Sequence, residues 1–576
     1  MKKLLPYLRP YRLQCVLAPL FKMLEACAEL FVPLVMTRII DRGIPAGDTA
    51  FILKNCLLLV LLGLAGLGFT TLAQYFSARA ASGFAADVRQ ALFGHIMRLS
   101  YAEYDVMGAA TLITRMTSDM NQVQTGLNLT LRLLLRSPFV VFGAMVMAFT
   151  VDVKAAVPFA VAIPILFAVV FAIMLSSIPM YRSSQKKLDR VMDASRENLS
   201  GVRVVRAFCM QDREEDDFRA RTQELLDAQL RVGRISALLN PATYVIINLA
   251  IVAVLRTGAV RVKLGALTQG QVVALYNYMS QILVELIKFA NLILNITRAL
   301  ACADRVSQML SIQPGLTDGQ KRVCAAQSQE LVRFEHVSFR YPGALGAALQ
   351  DISFSLQAGQ TLGVIGGTGS GKTTLINLIA RFYDASEGQV LFAGCDVRAQ
   401  TLASLRAQIG LVPQKSLLFT GSIRENLLWG NREASEQTLA QALDAAQARD
   451  VIASKPDGLE AAVEAGGRNF SGGQRQRLCI ARALVRKPAL LILDDSASAL
   501  DYATDAALRK ALRTLAWKPG AIIVSQRTAS IRHADQILVL EDGRCAGLGT
   551  HETLLETCPV YREIHESQYK KEEAAQ

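Results

Sequence analysis

A glycine-rich segment, residues 366–374, has the residue types and the spacing that bind nucleotide phosphates. Its sequence, Gly366-Gly367-Thr368-Gly369-Ser370-Gly371-Lys372-Thr373-Thr374, contains the pattern GxxxxGK[ST]. The glycines let backbone N–H groups turn toward phosphate oxygens, and a helix that starts here adds positive potential. In this motif the lysine, Lys372, pairs with the β- and γ-phosphates, and the hydroxyl of Thr373 ligates Mg²⁺. The segment therefore predicts a site for ATP and Mg²⁺.

Two neighbouring aspartates, Asp494 and Asp495, follow the apolar stretch 489–493. An aspartate at the end of a buried strand suits Mg²⁺ binding through a water molecule. ATP hydrolysis also needs a carboxylate that orients or deprotonates the attacking water within hydrogen-bond reach. Asp495 carries the charge but is one methylene shorter than glutamate, and a displacement near 1 Å can cost about a hundredfold in rate. We therefore predict ATP binding with weak hydrolysis at this site.

A second anion-binding segment is Ser471-Gly472-Gly473-Gln474, which opens a predicted helix. A hydroxyl group and free backbone amides at a helix start can hold a phosphate. The ten cysteines of the chain form no CxxC pair and have no histidine partners. They predict neither a zinc site nor a disulfide framework, which fits a nucleotide domain in a reducing cytoplasm.

The elements around the phosphate-binding segment form a strand, a loop and a helix. Residues 361–365 are a short apolar strand, and residues 375–380 have the apolar pattern of a helix. Residues 331–340 alternate as a strand, and a stretch rich in turn formers precedes them. We predict a linker over 311–329 and an α/β nucleotide-binding domain over 330–576.

The first half of the chain contains long apolar runs of the length that crosses a bilayer, about twenty residues each. Three of these runs contain no Asp, Glu, Lys or Arg. The predicted spans are 14–40, 55–78, 129–151, 155–181, 235–255 and 267–297. The predicted fold class is an all-α transmembrane domain of six helices over residues 1–310, followed by the α/β P-loop domain.

The loops predict the orientation of this membrane domain. The loops 79–128 and 182–234 are long, charged and contain many Lys and Arg residues, so both are placed in the cytoplasm with the two termini. Both carry apolar residues at helical spacing and are predicted to extend the spans as helices. Arg256, Arg261 and Lys263 oppose this orientation locally, but the two long loops hold many more Lys and Arg residues. The net charge of +13 is interpreted as that of a membrane protein, because Lys and Arg cluster in the loops between the apolar runs, so we predict no nucleic-acid partner. The N-terminus has no signal-peptide cleavage site.

Three ionisable residues in the first predicted span leave two interpretations open. Lys22, Glu25 and Glu29 have a spacing that places them on one helical face. They could line a substrate cavity that favours cations. Alternatively, they are a Lys–Glu pair that is satisfied between helices or near water.

The ordered series of motifs resembles that of half-transporters of the ATP-binding cassette (ABC) exporter family, from residue 1 to about residue 565. The resemblance implies that Tyr341 stacks on adenine and that Gln414 is a ligand of Mg²⁺ or water. It implies that Asp501, in the segment 498–501, belongs to the nucleotide site. Gln526 occupies the switch position, where the family has a histidine that contacts the γ-phosphate. Glutamine can donate a hydrogen bond there, but it cannot carry a proton.

Further resemblances concern assembly. Residues 104–119 and 197–208 resemble the two intracellular loops whose short coupling helices dock on nucleotide domains. Asp495 and Gln526, the altered run 464–470 and the intact signature at Ser471 resemble the degenerate-site subunit of heterodimeric multidrug exporters.

This implies a partner half-transporter with a catalytic glutamate and a switch histidine. It also implies a hydrophobic or amphipathic cargo that leaves across a bacterial inner membrane. A homodimer with two slow sites, a lipid or peptide flippase and an importer remain open as alternatives.

Overall fold

The computed structural model describes residues 3–322, 325, 328–496 and 500–573. By their internal contacts, the residues form two units. The membrane unit comprises Met1–Met97 and Ala109–Ile312, and the nucleotide unit comprises Arg98–Gly108 and Gln313–Gln576. The first is helical and the second mixes strands with helices, so the predicted fold class is confirmed.

The helices of the first half of the chain are long. They are α1 Arg12–Arg38, α2 Ile44–Ala46, α3 Thr49–Ile96, α4 Tyr101–Met107, α5 Ala109–Thr114, α6 Met120–Leu133, α7 Arg136–Val151, α8 Val153–Ser200, α9 Val202–Ala207, α10 Gln211–Ala237, α11 Leu239–Lys263 and α12 Gln269–Met309. Only α4 belongs to the nucleotide unit. Short polar side chains start several of them. Asp48 caps α3 by accepting from Phe51 N at 3.0 Å, and Asp152 caps α8 by accepting from Ala155 N at 2.8 Å.

Within the described residues, five helical segments are long and apolar enough to cross a membrane: Thr49–Ile96, Ala109–Val151, Val153–Ser200, Gln211–Lys263 and Gln269–Met309. Helix α1, where the first span is predicted, carries Lys22, Glu25 and Glu29 in its interior and falls outside this set. Helix α11 continues to Lys263, so most of the segment between the predicted spans 235–255 and 267–297 is helical. Arg261 therefore lies on a helix, where it pairs with Asp152 at the start of α8.

Six charged residues form a network across α1, α7 and α12: Lys22, Glu25, Glu29, Arg136, Glu285 and Lys288. Arg136 lies at its centre, with Nη1 2.6 Å from Glu285 Oε1 and Nη2 2.8 Å from Glu29 Oε2. Lys22 Nζ is 2.5 Å from Glu25 Oε2, and both side chains are buried. Of the two interpretations of Lys22, Glu25 and Glu29, the structure shows the buried ion pair of Lys22 with Glu25. Arg136 is a further partner of Glu29, which the sequence pattern did not indicate.

The described residues of the nucleotide unit form three sheets. Its strands are β1 Glu330–Phe339, β2 Leu349–Gln357, β3 Thr361–Gly366, β4 Glu387–Phe392, β5 Cys395–Asp396, β6 Ile409–Val412, β7 Gly421–Ser422, β8 Ala462–Val463, β9 Leu490–Asp494, β10 Gly520–Val524, β11 Gln536–Glu541 and β12 Arg544–Gly549. Its remaining helices are α13 Lys372–Ile379, α14 Leu402–Ala407, α15 Ile423–Leu428, α16 Glu436–Ala445, α17 Arg449–Ala453, α18 Gly472–Val485, α19 Tyr502–Arg513, α20 Thr528–Ile531, α21 His551–Thr557 and α22 Pro559–Glu573.

The largest sheet has the strand order β12-β11-β3-β10-β9-β6, in which the five strands from β11 to β6 are parallel and β12 is antiparallel at one edge. The carboxyl ends of adjacent parallel strands meet at one edge of a sheet, which is where such folds bind ligands. β3 leads into the phosphate-binding loop, β9 ends at Asp494, and residues 525–528 follow β10. Gln414 comes shortly after β6. The topology therefore places all four predicted segments at the same edge.

Candidate functional site

The phosphate-binding loop joins β3 to α13 in a tight turn that requires glycine. Gly366, Gly369 and Gly371 have φ values of 159°, 85° and 96°. A Cβ atom at Gly366 would lie 2.1 Å from the carbonyl oxygen of Leu540, so no side chain fits there. Gly371 and Leu349 are similarly close, with a Cβ at Gly371 lying 2.6 Å from Leu349 Cδ2. These contacts hold the loop against the sheet and fix its curvature.

The other side of the same loop is open. Among the residues that the structure describes, a Cβ atom built on Gly367 or Gly369 would meet no heavy atom within 4 Å. Lys372 curls back over this space, with Nζ donating to the carbonyl oxygens of Gly366 at 2.9 Å and Gly367 at 2.6 Å. Burial lowers the pKa of Lys372, and the nearby Asp495 and Asp494 oppose that shift. A cradle with a cation at its rim has the chemistry to hold a polyphosphate.

Two oxygen side chains meet beside this cradle. The hydroxyl of Thr373 donates to Asp494 Oδ2 at 3.3 Å, and Asp494 is buried at 4% exposure. Burial raises the pKa of Asp494; the charge of Asp495 adds to the shift, while the Thr373 hydrogen bond and Lys372 oppose it. A hydroxyl and a carboxylate are the hard oxygen donors that Mg²⁺ prefers. Thr373 and Asp494 therefore fit a Mg²⁺ site next to the phosphates.

Asp495 occupies an unusual backbone position directly after β9. Its φ of 46° lies in the left-handed region, which aspartate tolerates better than most residues. Its backbone N–H donates to Val524 O at 3.0 Å, which ties it to the end of β10. Its carboxylate accepts from Gln414 Nε2 at 3.5 Å. The structure thus brings the predicted base position and Gln414 together.

Tyr341 lies next to α13, the helix that follows the phosphate-binding loop. Its hydroxyl is 3.0 Å from Thr374 Oγ1, which directly follows the proposed Mg²⁺ ligand Thr373. Its ring contacts Tyr383 edge to face, with 5.3 Å between centroids. The side chain is half-buried, and its position beside α13 is compatible with the predicted adenine contact.

The switch position follows β10. Gln526 has an exposed side chain, and its backbone carbonyl accepts from Gln568 Nε2 at 2.7 Å. Gln568 lies on α22, and no sequence pattern had indicated it. The neighbouring Arg527 lies over the ring of Tyr502, 5.2 Å from its centroid.

The signature residues form a separate group at the start of α18. Ser471 caps this helix: its Oγ accepts from Gln474 N at 3.3 Å, and Gln474 Oε1 accepts from Ser471 N at 3.0 Å. Ser471 and Gly472 are exposed, and Gly473 is half-buried. Asp501 caps α19 by accepting from Thr504 N at 2.8 Å. The predicted segment 498–501 lies partly outside the described residues, because residues 497–499 are not among them.

Helix α4 packs within the nucleotide unit, against residues that come shortly after α13. The ring of Tyr101 contacts that of Phe382 in a tilted arrangement at 4.5 Å between centroids, and the hydroxyl of Tyr383 donates to Asp105. Glu103 Oε1 accepts from Gly315 N at 3.1 Å. Because Tyr383 also contacts Tyr341, a continuous aromatic path joins α4 to the nucleotide site. Tyr383 was not among the residues predicted from motifs.

Membrane-crossing helices joined to a P-loop α/β unit define the class of ATP-dependent membrane transporters. Residues 15–286 match the family of ABC transporter transmembrane regions, and residues 349–498 match the ABC transporter nucleotide-binding family. The chain belongs to the ABC transporter family, as a half-transporter of the exporter type that carries both domains and crosses the membrane several times.

Relatives match the chain over nearly its full length. An uncharacterized ABC transporter ATP-binding protein of Mycobacterium tuberculosis is 38% identical over 98% of this chain and 97% of the relative. A putative multidrug export ATP-binding/permease protein of Bacillus subtilis is 32% identical over 99% of this chain and 98% of its own length. An ATP-dependent lipid A-core flippase of Xanthomonas oryzae is also 32% identical, over 100% of this chain and 97% of the flippase.

The fold also resembles a solved structure. A bacterial Atm1-family ABC exporter with ATP bound aligns with a TM-score of 0.82 at 24% identity, covering 97% of this chain and 99% of that one. This likeness concerns the fold alone.

Proposed function

We propose that this chain is one subunit of a heterodimeric ABC exporter with two unequal ATP sites. Its own site, formed by Lys372, Thr373, Asp494 and Asp495, holds Mg²⁺-ATP with little turnover. Its signature at Ser471 closes on the partner's phosphate-binding loop, where a glutamate and a histidine carry out hydrolysis. When bound, Mg²⁺ neutralises phosphate charge at Thr373 and Asp494, with Gln414 as a further ligand.

One observation carries this proposal: Asp495 and Gln526 occupy the base and switch positions while the signature of the same chain is intact. The carboxylate of Asp495 lies within 3.5 Å of Gln414 Nε2 and has a shorter reach than glutamate. A hydrogen bond to the amide and the missing methylene both act against positioning an attacking water. The exposed signature residues are available to a second subunit, as an isologous or pseudo-symmetric pairing requires.

Two short helices, α4 and α9, are candidates for transmitting closure of the nucleotide domains to the membrane domain. Helix α4 contacts the nucleotide site through Tyr383. Helix α9, by contrast, exposes Val204 at its centre (60%) and is followed by the exposed Phe208 (74%), while Leu199 near the end of α8 is 77% exposed. In the proposed assembly α9 docks on the partner's nucleotide domain. Closure of the two domains then turns the spans from inward- to outward-facing.

The cargo is proposed to be a hydrophobic or amphipathic compound that leaves across a bacterial inner membrane. The proposed orientation of the chain in that membrane has both termini in the cytoplasm. A lipid flippase is a second candidate, because the flippase relative is as similar as the multidrug relative. The fold does not choose between these cargoes. A homodimer with two slow sites is the alternative assembly.

The deciding experiment compares ATP turnover by the chain purified alone with turnover by the complex that it forms in its native membrane. The proposal expects low turnover alone and much faster turnover in the complex. Equal rates would favour the homodimer. Inside-out vesicles given ATP together with either a fluorescent lipid or a cationic dye on their outer side then separate lipid flipping from drug export, and uptake into the vesicles establishes direction.

A further inference from the structure

One side chain of the C-terminal helix α22 holds the switch loop, residues 525–528. Gln568 Nε2 donates to Gln526 O at 2.7 Å. Its Oε1 accepts from Thr528 N at 2.9 Å and from the Thr528 hydroxyl at 3.0 Å. A single amide group therefore fixes both ends of the segment Gln526–Thr528.

The backbone of this loop needs such a partner. Helix α20 begins at Thr528, and the residue before it, Arg527, provides no side-chain cap. The first N–H groups of a helix have no partner within the helix. Thr528 is only 1% exposed, so water has little access to its amide. The oxygen of Gln568 supplies the acceptor that a capping residue normally supplies, and an unsatisfied buried donor would be costly.

Helix α22 is itself firmly anchored. Tyr561 is fully buried in a cluster with Ile365, which directly precedes the phosphate-binding loop, and with Ile531 at the end of α20. The Tyr561 hydroxyl lies 2.8 Å from His551 Nδ1. His565, one turn before Gln568, lies 3.3 Å from the Thr528 hydroxyl through Nδ1. Gln568 is thus presented from a fixed support that also backs the phosphate-binding loop.

We infer that Gln568 is a positioning residue for the nucleotide site: it fixes the backbone of the switch loop and thereby the place from which Gln526 meets the nucleotide. The consequence for ATP retention rests on the proposed function, whereas the effect on the loop backbone does not. Removing the amide should loosen residues 526–528 and weaken the hold on ATP without affecting assembly.

The test uses the full chain in its assembled transporter, with Gln568→Leu, Gln568→Glu and the control Ser567→Ala on the same helix. Two quantities are measured: amide hydrogen exchange at Thr528, and the release rate of radiolabelled ATP retained after a chase. Gln568→Leu should raise both by about three- to tenfold, the factor expected for lost hydrogen bonds. Gln568→Glu should keep Thr528 protected, because a carboxylate still accepts, and yet speed ATP release, because it cannot donate to Gln526. Ser567→Ala should change neither.

Unchanged Thr528 exchange and ATP release in Gln568→Leu would overturn the inference, as would equal effects in Ser567→Ala. If Gln568→Leu fails to fold, Gln568→Glu tests the inference: protected Thr528 with faster ATP release supports it, and unchanged ATP release contradicts it. If the unmodified transporter retains no ATP, the proposed slow site is wrong, and kcat at saturating ATP decides the inference instead. A lower kcat with an unchanged KM in Gln568→Glu then supports the positioning role, and an unchanged kcat contradicts it.

Discussion

Gln414 and Asp495 lie side by side, with Gln414 Nε2 3.5 Å from Asp495 Oδ2. They come from the ends of the adjacent strands β6 and β9. Burial raises the pKa of Asp495, and the Gln414 hydrogen bond, Lys372 and Arg527 oppose the shift. The carboxylate that would activate water is therefore short, partly desolvated and engaged by a neighbour, which is the physical basis for expecting slow hydrolysis at this site.

Lengthening this carboxylate should restore hydrolysis. We expect Asp495→Glu combined with Gln526→His to raise ATP turnover at this site by about tenfold or more, because the base gains a methylene and the switch position gains a titratable donor. Turnover is measured in a complex whose partner site has been disabled. Asp495→Asn is the matched control and should stay inactive. No gain in the double variant would mean that these two positions do not limit the rate.

Removing the cation of the phosphate-binding loop should abolish tight ATP binding. Lys372→Met removes hydrogen bonds to a charged ligand, and we expect affinity to fall by about tenfold or more. Binding of a fluorescent ATP analogue to the purified complex measures the effect. Lys510→Met, which removes an exposed lysine from α19, is the control and should bind normally. Normal binding by Lys372→Met would place the nucleotide elsewhere.

The raised pKa of Asp494 predicts a pH-dependent contribution of Mg²⁺. Mg²⁺ needs the ionised carboxylate, and a raised pKa means that protonation begins at a higher pH than for an exposed aspartate. The Mg²⁺-dependent part of ATP affinity should therefore decline as pH falls into this range. The comparison is ATP affinity with Mg²⁺ and with EDTA across pH. Asp494→Asn should remove both the Mg²⁺ effect and its pH dependence; a variant that keeps them would show that another group binds the metal.

The Tyr383 hydroxyl should matter for coupling more than for binding. Tyr383→Phe keeps the buried ring and its contact with Tyr341 but removes the hydrogen bond to Asp105 on α4. We expect unchanged ATP affinity and fewer cargo molecules moved per ATP, measured together in vesicles. Asp105→Asn provides the second arm of a double-mutant cycle, and additive losses would show that the two side chains act independently.

Arg136 should be essential to the stability of the membrane unit. Arg136→Gln leaves Glu285 and Glu29 without their strongest partner, and removing one member of a buried ion pair typically costs about 3–5 kcal/mol. A large fall in the unfolding temperature in detergent is expected. Lys288→Gln is the control, since that side chain is 46% exposed and contributes about 0–1 kcal/mol. If both variants lowered the unfolding temperature equally, burial would not determine how much a charged side chain contributes to stability.

Local patterns were sufficient for much of the nucleotide unit. The predicted strand 361–365 is β3 with one further residue, and the strand predicted at 331–340 is β1, Glu330–Phe339. Glycine spacing, a capping hydroxyl at Ser471 and apolar strands are short-range signals, so they can be recognised without knowledge of the tertiary fold.

The contacts that the patterns missed are all long-range. Gln568 and Gln526 are separated by 42 residues, and Tyr383 and Asp105 by 278. A single glutamine on an amphipathic helix carries no sequence signal of its own. Arg136 was similarly hidden, because a charge at the edge of an apolar run is normally a solvated one, and only the packing of α1 and α12 places carboxylates around it.

The grouping of Arg98–Gly108 with the nucleotide unit makes that unit discontinuous in the chain. A fragment that begins at Gln313 would omit part of its own fold and leave the surface at Phe382 and Tyr383 bare to water. Such a fragment should gain solubility when a peptide spanning residues 98–108 is added. Exchange of nucleotide domains between transporters, in the laboratory or during evolution, would have to carry α4 together with the residues that contact it, Phe382 and Tyr383.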